Sequence, residues 1–98
     1  MQEAHFTRGH LAFARAIDGA KLSWRRAGKE LKVTGDHVAR VLHGKNCGAE
    51  TQIKAFQVFG VDLDLWTQAA SAEESVEMAA LVKAMEERRA RTKGGAAS

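Results

Sequence analysis

The sequence predicts an all-α chain: a compact bundle of five short helices containing a helix-turn-helix, followed by a long C-terminal helix. Three observations predict it. The 98 residues contain no proline, and Ala, Leu, Glu, Lys and Arg outweigh the β-branched types, a composition that favours helix. Apolar residues recur at spacings of three and four between Ser, Thr or Asp caps and glycine stops, as amphipathic helices require. From Leu22 to Gly44, two such helices are separated only by Lys32-Val33-Thr34, a break short enough for a helix-turn-helix.

Taken in order, residues 1–6 read as a flexible arm. Thr7 caps a first helix through about Asp18, with Leu11, Phe13, Ala14 and Ile17 inward and Gly19 as its stop. Ser23 caps a second helix, Trp24 to Leu31, burying Ala27 and Leu31. Thr34 caps a third, Gly35 to about His43, burying Val38, Val41 and Leu42 and ending at Gly44. A loop, Lys45-Asn46-Cys47-Gly48, leads to a fourth helix from about Ala49 to Phe59, with Ile53, Phe56 and Phe59 at three-residue spacing as its apolar stripe. Gly60 stops it, and Asp62 caps a short fifth helix carrying Leu63, Leu65 and Trp66. This bundle forms one domain over residues 7–70.

Residues 71–91 read differently. Ser71 and Glu74 form a capping box for a long helix with a broad apolar face: Val76, Met78, Ala79, Ala80, Leu81, Val82 and Met85. Arg88, Arg89, Arg91 and Lys93 place positive charge near its C-terminus, where the helix dipole favours it. Residues 92–98 read as a flexible tail.

Charge is divided along the chain. Residues 1–48 hold nine Lys/Arg against four Asp/Glu, a balance of +5, and residues 49–98 hold six against eight, a balance of −2. The basic half contains the helix-turn-helix, as a phosphate-binding surface requires, although the same excess also suits an ordinary solvated surface. Cys47 is the only cysteine, which excludes an internal disulfide and a thiolate-based zinc site and fits a reducing cytoplasm. No signal peptide is expected at the N-terminus, and no apolar run is long enough to span a membrane. His5, His10, His37 and His43 form no metal-ligand spacing, and Cys47 has no evident base. No enzyme activity, metal or cofactor is therefore expected.

Leu22, Ser23, Leu31, Val33, Thr34, Val38, Val41 and Gly44 match without a gap the pattern of the lambda-repressor-like family, the Cro and repressor type, which this segment resembles. The five-helix layout over about residues 7–66 matches as well. Four positions depart from the family pattern. Trp24 replaces a glutamine whose amide donates to phosphate. Gly28 replaces an alanine packed on the recognition helix, and Lys32 replaces the glycine of the turn. Gly35 and Asp36 occupy the first turn of the recognition helix, where side chains reach for bases.

The resemblance implies a double-stranded DNA interface with the third helix in the major groove. Its outward face is expected to be Asp36, His37, Ala39, Arg40 and His43, with Asp36, His37 and Arg40 as base contacts. Arg40 suits guanine O6 and N7 or a phosphate. Asp36 can accept from cytosine N4 or simply favour the positive end of its own helix, and His37 can instead complete the cap. Phosphate contacts are assigned to Ser23, Trp24, Arg25, Arg26, Thr34, His43, Lys45 and Asn46.

An operator of two half-sites calls for a homodimer. Its interface is expected on Leu65, Trp66, Val76, Leu81, Val82 and Met85; the alternative is that the long helix folds back to complete a monomeric core. The expected function is a transcriptional regulator, a repressor that occupies an inverted repeat. A second resemblance, in Val41-Leu42-His43-Gly44-Lys45 and Phe59-Gly60-Val61-Asp62-Leu63-Asp64-Leu65-Trp66-Thr67-Gln68, is to antitoxins of the host-inhibition-of-growth type. It implies the alternative function, a helix-turn-helix fold that sequesters a protein partner: a toxin, an activator or RNA polymerase.

Overall fold

Capping decides where the helices begin. Thr7, Ser23 and Thr34 are extended, and each accepts a hydrogen bond from the backbone N–H three residues on, satisfying one of the donors a helix start leaves open. In the computed structural model, which describes residues 6–45 and 47–97 and their side chains as far as residue 90, five α-helices follow: α1 Arg8–Gly19, α2 Trp24–Leu31, α3 Gly35–Leu42, α4 Ala49–Phe59 and α5 Ala72–Ala97. The short element before α5 is a 3-10 helix, Leu63–Thr67, rather than an α-helix. Asp62 caps it. The described residues contain no strand; a single antiparallel bridge pairs Thr7 with Ala69.

The bundle core is Leu11, Phe13, Ala14 and Ile17 of α1, Ala27 and Leu31 of α2, and Val38, Val41 and Leu42 of α3, as the spacings predict. Trp66 lies over α1. A β-carbon on Gly9 would stand 2.3 Å from the Trp66 ring, so the absence of a side chain at Gly9 lets the indole close the bundle. The His10 ring meets Trp66 edge-on, with centroids 5.2 Å apart.

Several expectations are corrected. Phe6 is not part of a free arm: it packs on the core, and its carbonyl accepts from the Ala70 N–H at 3.1 Å. On α4 the buried face is Thr51 and Ala55, while Ile53 and Phe56 are 48% and 51% exposed. The inward stripe is instead Thr51, Ala55 and Phe59, four residues apart, with Phe59 edge-on to Phe13 and Thr51 hydrogen-bonded to His37. α5 continues through Ala97, past the expected boundary at Arg91 and through most of the residues read as a tail.

The largest correction concerns α5, which folds back onto α1. Met78, Val82 and Met85 are buried, with Leu81 half-buried beside them, giving the i, i+4, i+7 stripe of a docked helix. Trp66, Val82 and Met85, expected at a dimer interface, therefore belong to the chain's own core. Leu65 and Leu81 pack partly against that core. Of the six expected interface residues only Val76 is largely exposed, at 71%. Three partly exposed ion pairs border this docked stripe. Arg15 holds Glu77 through two hydrogen bonds, 2.7 and 2.6 Å, and Arg8 meets Glu74 at 3.2 Å. Arg88 meets Asp18 at 3.3 Å. The Arg15 hydrogen bonds hold Glu77 below the usual carboxylate range. Glu74 is also lowered, first by its bond from the Ser71 backbone and then by Arg8. The Ser71–Glu74 capping box is present in both directions.

Candidate nucleic-acid interface

The helix-turn-helix is built on a close approach. A β-carbon on Gly28 would lie 2.7 Å from the Val33 carbonyl oxygen and 2.9 Å from the Thr34 carbonyl carbon. The turn thus runs directly over α2 at Gly28, where a side chain would collide with it. Lys32 takes the turn itself in the left-handed conformation, φ 60° and ψ 41°, where glycine is otherwise favoured. Its N–H and that of Val33 close the end of α2 by donating to the Lys29 and Gly28 carbonyls. Gly35 sits against the start of α2, with Arg25 Cα 3.1 Å from the place of its missing β-carbon. Gly35 therefore serves helix crossing rather than readout.

This turn projects Asp36 and Arg40 into solvent. Arg40 has no ion-pair or hydrogen-bonded side-chain partner among the described residues, which leaves its guanidinium available. Two neighbours expected on the same face are turned away. The His37 ring is half-buried and shares a 3.1 Å hydrogen bond with Thr51 Oγ1, tying α3 to α4. Ala39 is half-buried and packs on the core.

The phosphate set divides in the same way. Ser23, Arg25, Arg26 and Thr34 line one groove of about 820 Å³ together with Lys21, Gly35 and Asp36. The Ser23 and Thr34 hydroxyls are engaged as caps, accepting at 3.1 and 3.0 Å. Trp24 is 5% exposed, and its Nε1 is buried with no hydrogen-bond partner among the described residues, so the indole cannot replace a phosphate-binding glutamine. His43 is also diverted. Its ring meets the Trp24 ring edge-on at 5.9 Å, and its Nε2 lies 3.6 Å from a Glu86 carboxylate oxygen. An acid beside the imidazole opposes a phosphate there. Both diversions have one cause, the arrival of α5 over the start of α2.

Lys45 is exposed and is placed by its backbone. Its N–H donates to the Arg40 carbonyl at 3.0 Å after Gly44 turns at φ 94°, a six-to-one closure of the helix end. Its carbonyl accepts from His10 Nε2 at 2.9 Å. Asn46 lies outside the described residues. Cys47 is buried, and burial pushes its thiol up to about 11, away from nucleophilic or ligand use at neutral pH. Among the described residues no three His, Cys, Asp or Glu side chains group as metal ligands, and no helix is long and apolar enough to cross a membrane.

No protein-family model, curated protein or solved structure matches the chain. The site therefore rests on its own geometry. That geometry gathers Lys21, Arg25 and Arg26 with two residues missed in the sequence, Arg88 and Arg89. In the sequence these two arginines look like a dipole-matched helix end; only the fold-back of α5 brings them to α2.

Proposed function

We propose that the chain is a sequence-specific, double-stranded-DNA-binding transcriptional regulator of the lambda-repressor-like type, acting as a repressor by occupying an inverted repeat. One observation carries this reading. Two capped helices, α2 and α3, meet through a three-residue turn that presents the unpaired Arg40 beside the cationic start of α2. In such an arrangement α3 enters the major groove while α2 rests on the backbone. Arg40 and Asp36 are the base-reading residues of this proposal. Arg25, Arg26 and Lys45 are its phosphate contacts.

The reading includes a homodimer, with a surface different from that expected in α5. Ile53 and Phe56 lie three residues apart on one exposed face of α4. Two large apolar side chains exposed together favour a protein contact, and a second copy of the chain is the occupant an inverted repeat requires. The same patch favours the second reading, in which the fold captures a different protein. Selection from a random duplex library separates the two. Enrichment of a palindrome supports the operator-binding dimer, and absence of any enriched sequence supports the protein-partner reading.

A further inference from the structure

The last turn of α5 with described side chains is docked where a helix-turn-helix needs only its own α2. Met85 is buried there. Arg88 donates to the Leu22 carbonyl at 3.5 Å and to Asp18 Oδ1 at 3.3 Å. The Arg89 guanidinium carbon stands 5.4 Å from the centroid of the Trp24 ring, a cation–π placement that orders an exposed side chain. Trp24, buried under Arg89 and bordered by His43, is thus a platform for a cation.

Between this turn and the starts of α2 and α3 runs the groove of about 820 Å³. Lys21, Arg25 and Arg26 line it from the α2 side, and Arg88 and Arg89 from the α5 side. Asp36, on the α3 wall, is the only acid among the described residues that line it. Arg88 is already partnered by Asp18; Lys21, Arg25, Arg26 and Arg89 make no ion pair among the described residues. Of the α5 carboxylates, Glu74 pairs with Arg8 and Glu77 with Arg15, and Glu86 lies beside His43; Glu73 and Glu87 make no ion pair among the described residues, and neither lines the groove. Four unpaired cations converging on an open channel attract a polyanion rather than a single carboxylate. The α3 wall of the channel is the first turn of the helix read as the base-contacting one, so a strand followed by that helix runs alongside it.

We infer that α5 is part of the DNA-binding surface: Arg89, stacked on Trp24, and Lys21, Arg25 and Arg26 across the groove clamp the phosphodiester backbone of one strand. This rests on the duplex-binding reading given above. It extends that surface beyond the helix-turn-helix to a helix that the sequence assigns to dimerisation.

The test measures binding of the full chain to its selected duplex and to a scrambled duplex across a salt series. Each phosphate contact contributes a log–log salt slope of about 0.9. Arg89→Gln is expected to weaken both duplexes by the same factor and to make both slopes shallower by about 0.9. Arg89→Lys, which keeps the charge, is expected to restore most of the slope. Lys83→Gln removes an exposed cation of α5 outside the groove and is expected to leave the slope unchanged. An unchanged slope in Arg89→Gln overturns the clamp, as does an equal loss in Lys83→Gln, which would reduce the effect to net charge. If no sequence is enriched but the slopes shift as stated, sequence-specific binding fails and the clamp stands. If the unmodified chain binds no duplex, both fail.

Discussion

His10 Nε2 donates to the Lys45 carbonyl oxygen at 2.9 Å, joining the first turn of α1 to the loop that leaves α3. The other ring nitrogen, Nδ1, accepts from the Thr7 backbone N–H at 3.0 Å, completing the cap of α1. Both bonds are made by the neutral ring. Burial lowers the His10 pKa below its usual 6.5, against a smaller opposing effect of the Lys45 carbonyl. The unfolded chain therefore binds a proton that the folded chain resists. Stability from this residue is complete above about pH 6.5 and is lost as pH falls toward the lowered folded-state value. His10→Gln keeps an acceptor for the cap and a donor for the loop. Urea unfolding at pH 7.5 and at pH 5 is expected to show a larger acid loss in the unmodified chain than in His10→Gln. Equal losses would mean that the ring is protonated without cost.

Gly28→Ala sets two effects against each other. Alanine gains about 1 kcal/mol of helix propensity over glycine. Its methyl must also displace the Val33 and Thr34 backbone, which lies within 3.0 Å, at about 1–3 kcal/mol. We expect net destabilisation in chemical unfolding, with weaker DNA binding because α3 shifts. A more stable variant would show that α2 and the turn are less closely apposed.

Lys32→Gly is expected to act in the opposite direction. The left-handed conformation costs a side-chain-bearing residue about 1–2 kcal/mol, and glycine returns part of this by loosening the unfolded chain. A gain of about 0.5–1 kcal/mol in urea unfolding follows. A loss would mean that the lysine stem packs usefully on the turn.

The fold-back of α5 is tested by two residues on one helix. Met78 is fully buried and Val76 is 71% exposed. Met78→Ala is expected to cost about 2–5 kcal/mol in unfolding free energy, and Val76→Ala less than about 0.5 kcal/mol. The reverse order would place α5 away from its own domain.

What the sequence made legible was local. Ser23, Thr34 and Gly60 mark the helix limits by caps and stops that act within a few residues, so α2 and α4 begin and end where expected. Faces set by distant partners were not legible. Thr51 is buried beside His37, fourteen positions away, and the α4 face that meets the core runs through Ala55 and Phe59 rather than Ile53 and Phe56. The partners of Glu74 and Glu77 lie on α1, about sixty positions away, so these ion pairs were not legible in the sequence. Trp24 and His43 are well placed in sequence to meet phosphate, and only the docking of α5 shows one buried and the other beside a carboxylate. The exposure of Arg40 was legible because the outward face of α3 follows from its own apolar spacing.

Arg40 and Lys45 separate base reading from backbone contact. Arg40→Ala is expected to weaken binding to the selected duplex by about 1–3 kcal/mol and to relax preference at one base position. Lys45→Ala is expected to weaken all duplexes alike and to reduce the salt slope. Electrophoretic or fluorescence titrations on matched and singly altered duplexes distinguish the two. A sequence-independent loss in Arg40→Ala would make it another phosphate contact.

Sequence-specific duplex binding decides between a DNA-binding regulator and a protein-capturing domain. The most direct measurement is the affinity of the purified chain for the winner of a random-library selection relative to a scrambled duplex, at two salt concentrations. A palindromic winner bound about 10³-fold or more tightly than the scramble, with weaker binding to both at higher salt, is the result expected. No enriched sequence, and equal weak binding to every duplex, would contradict it.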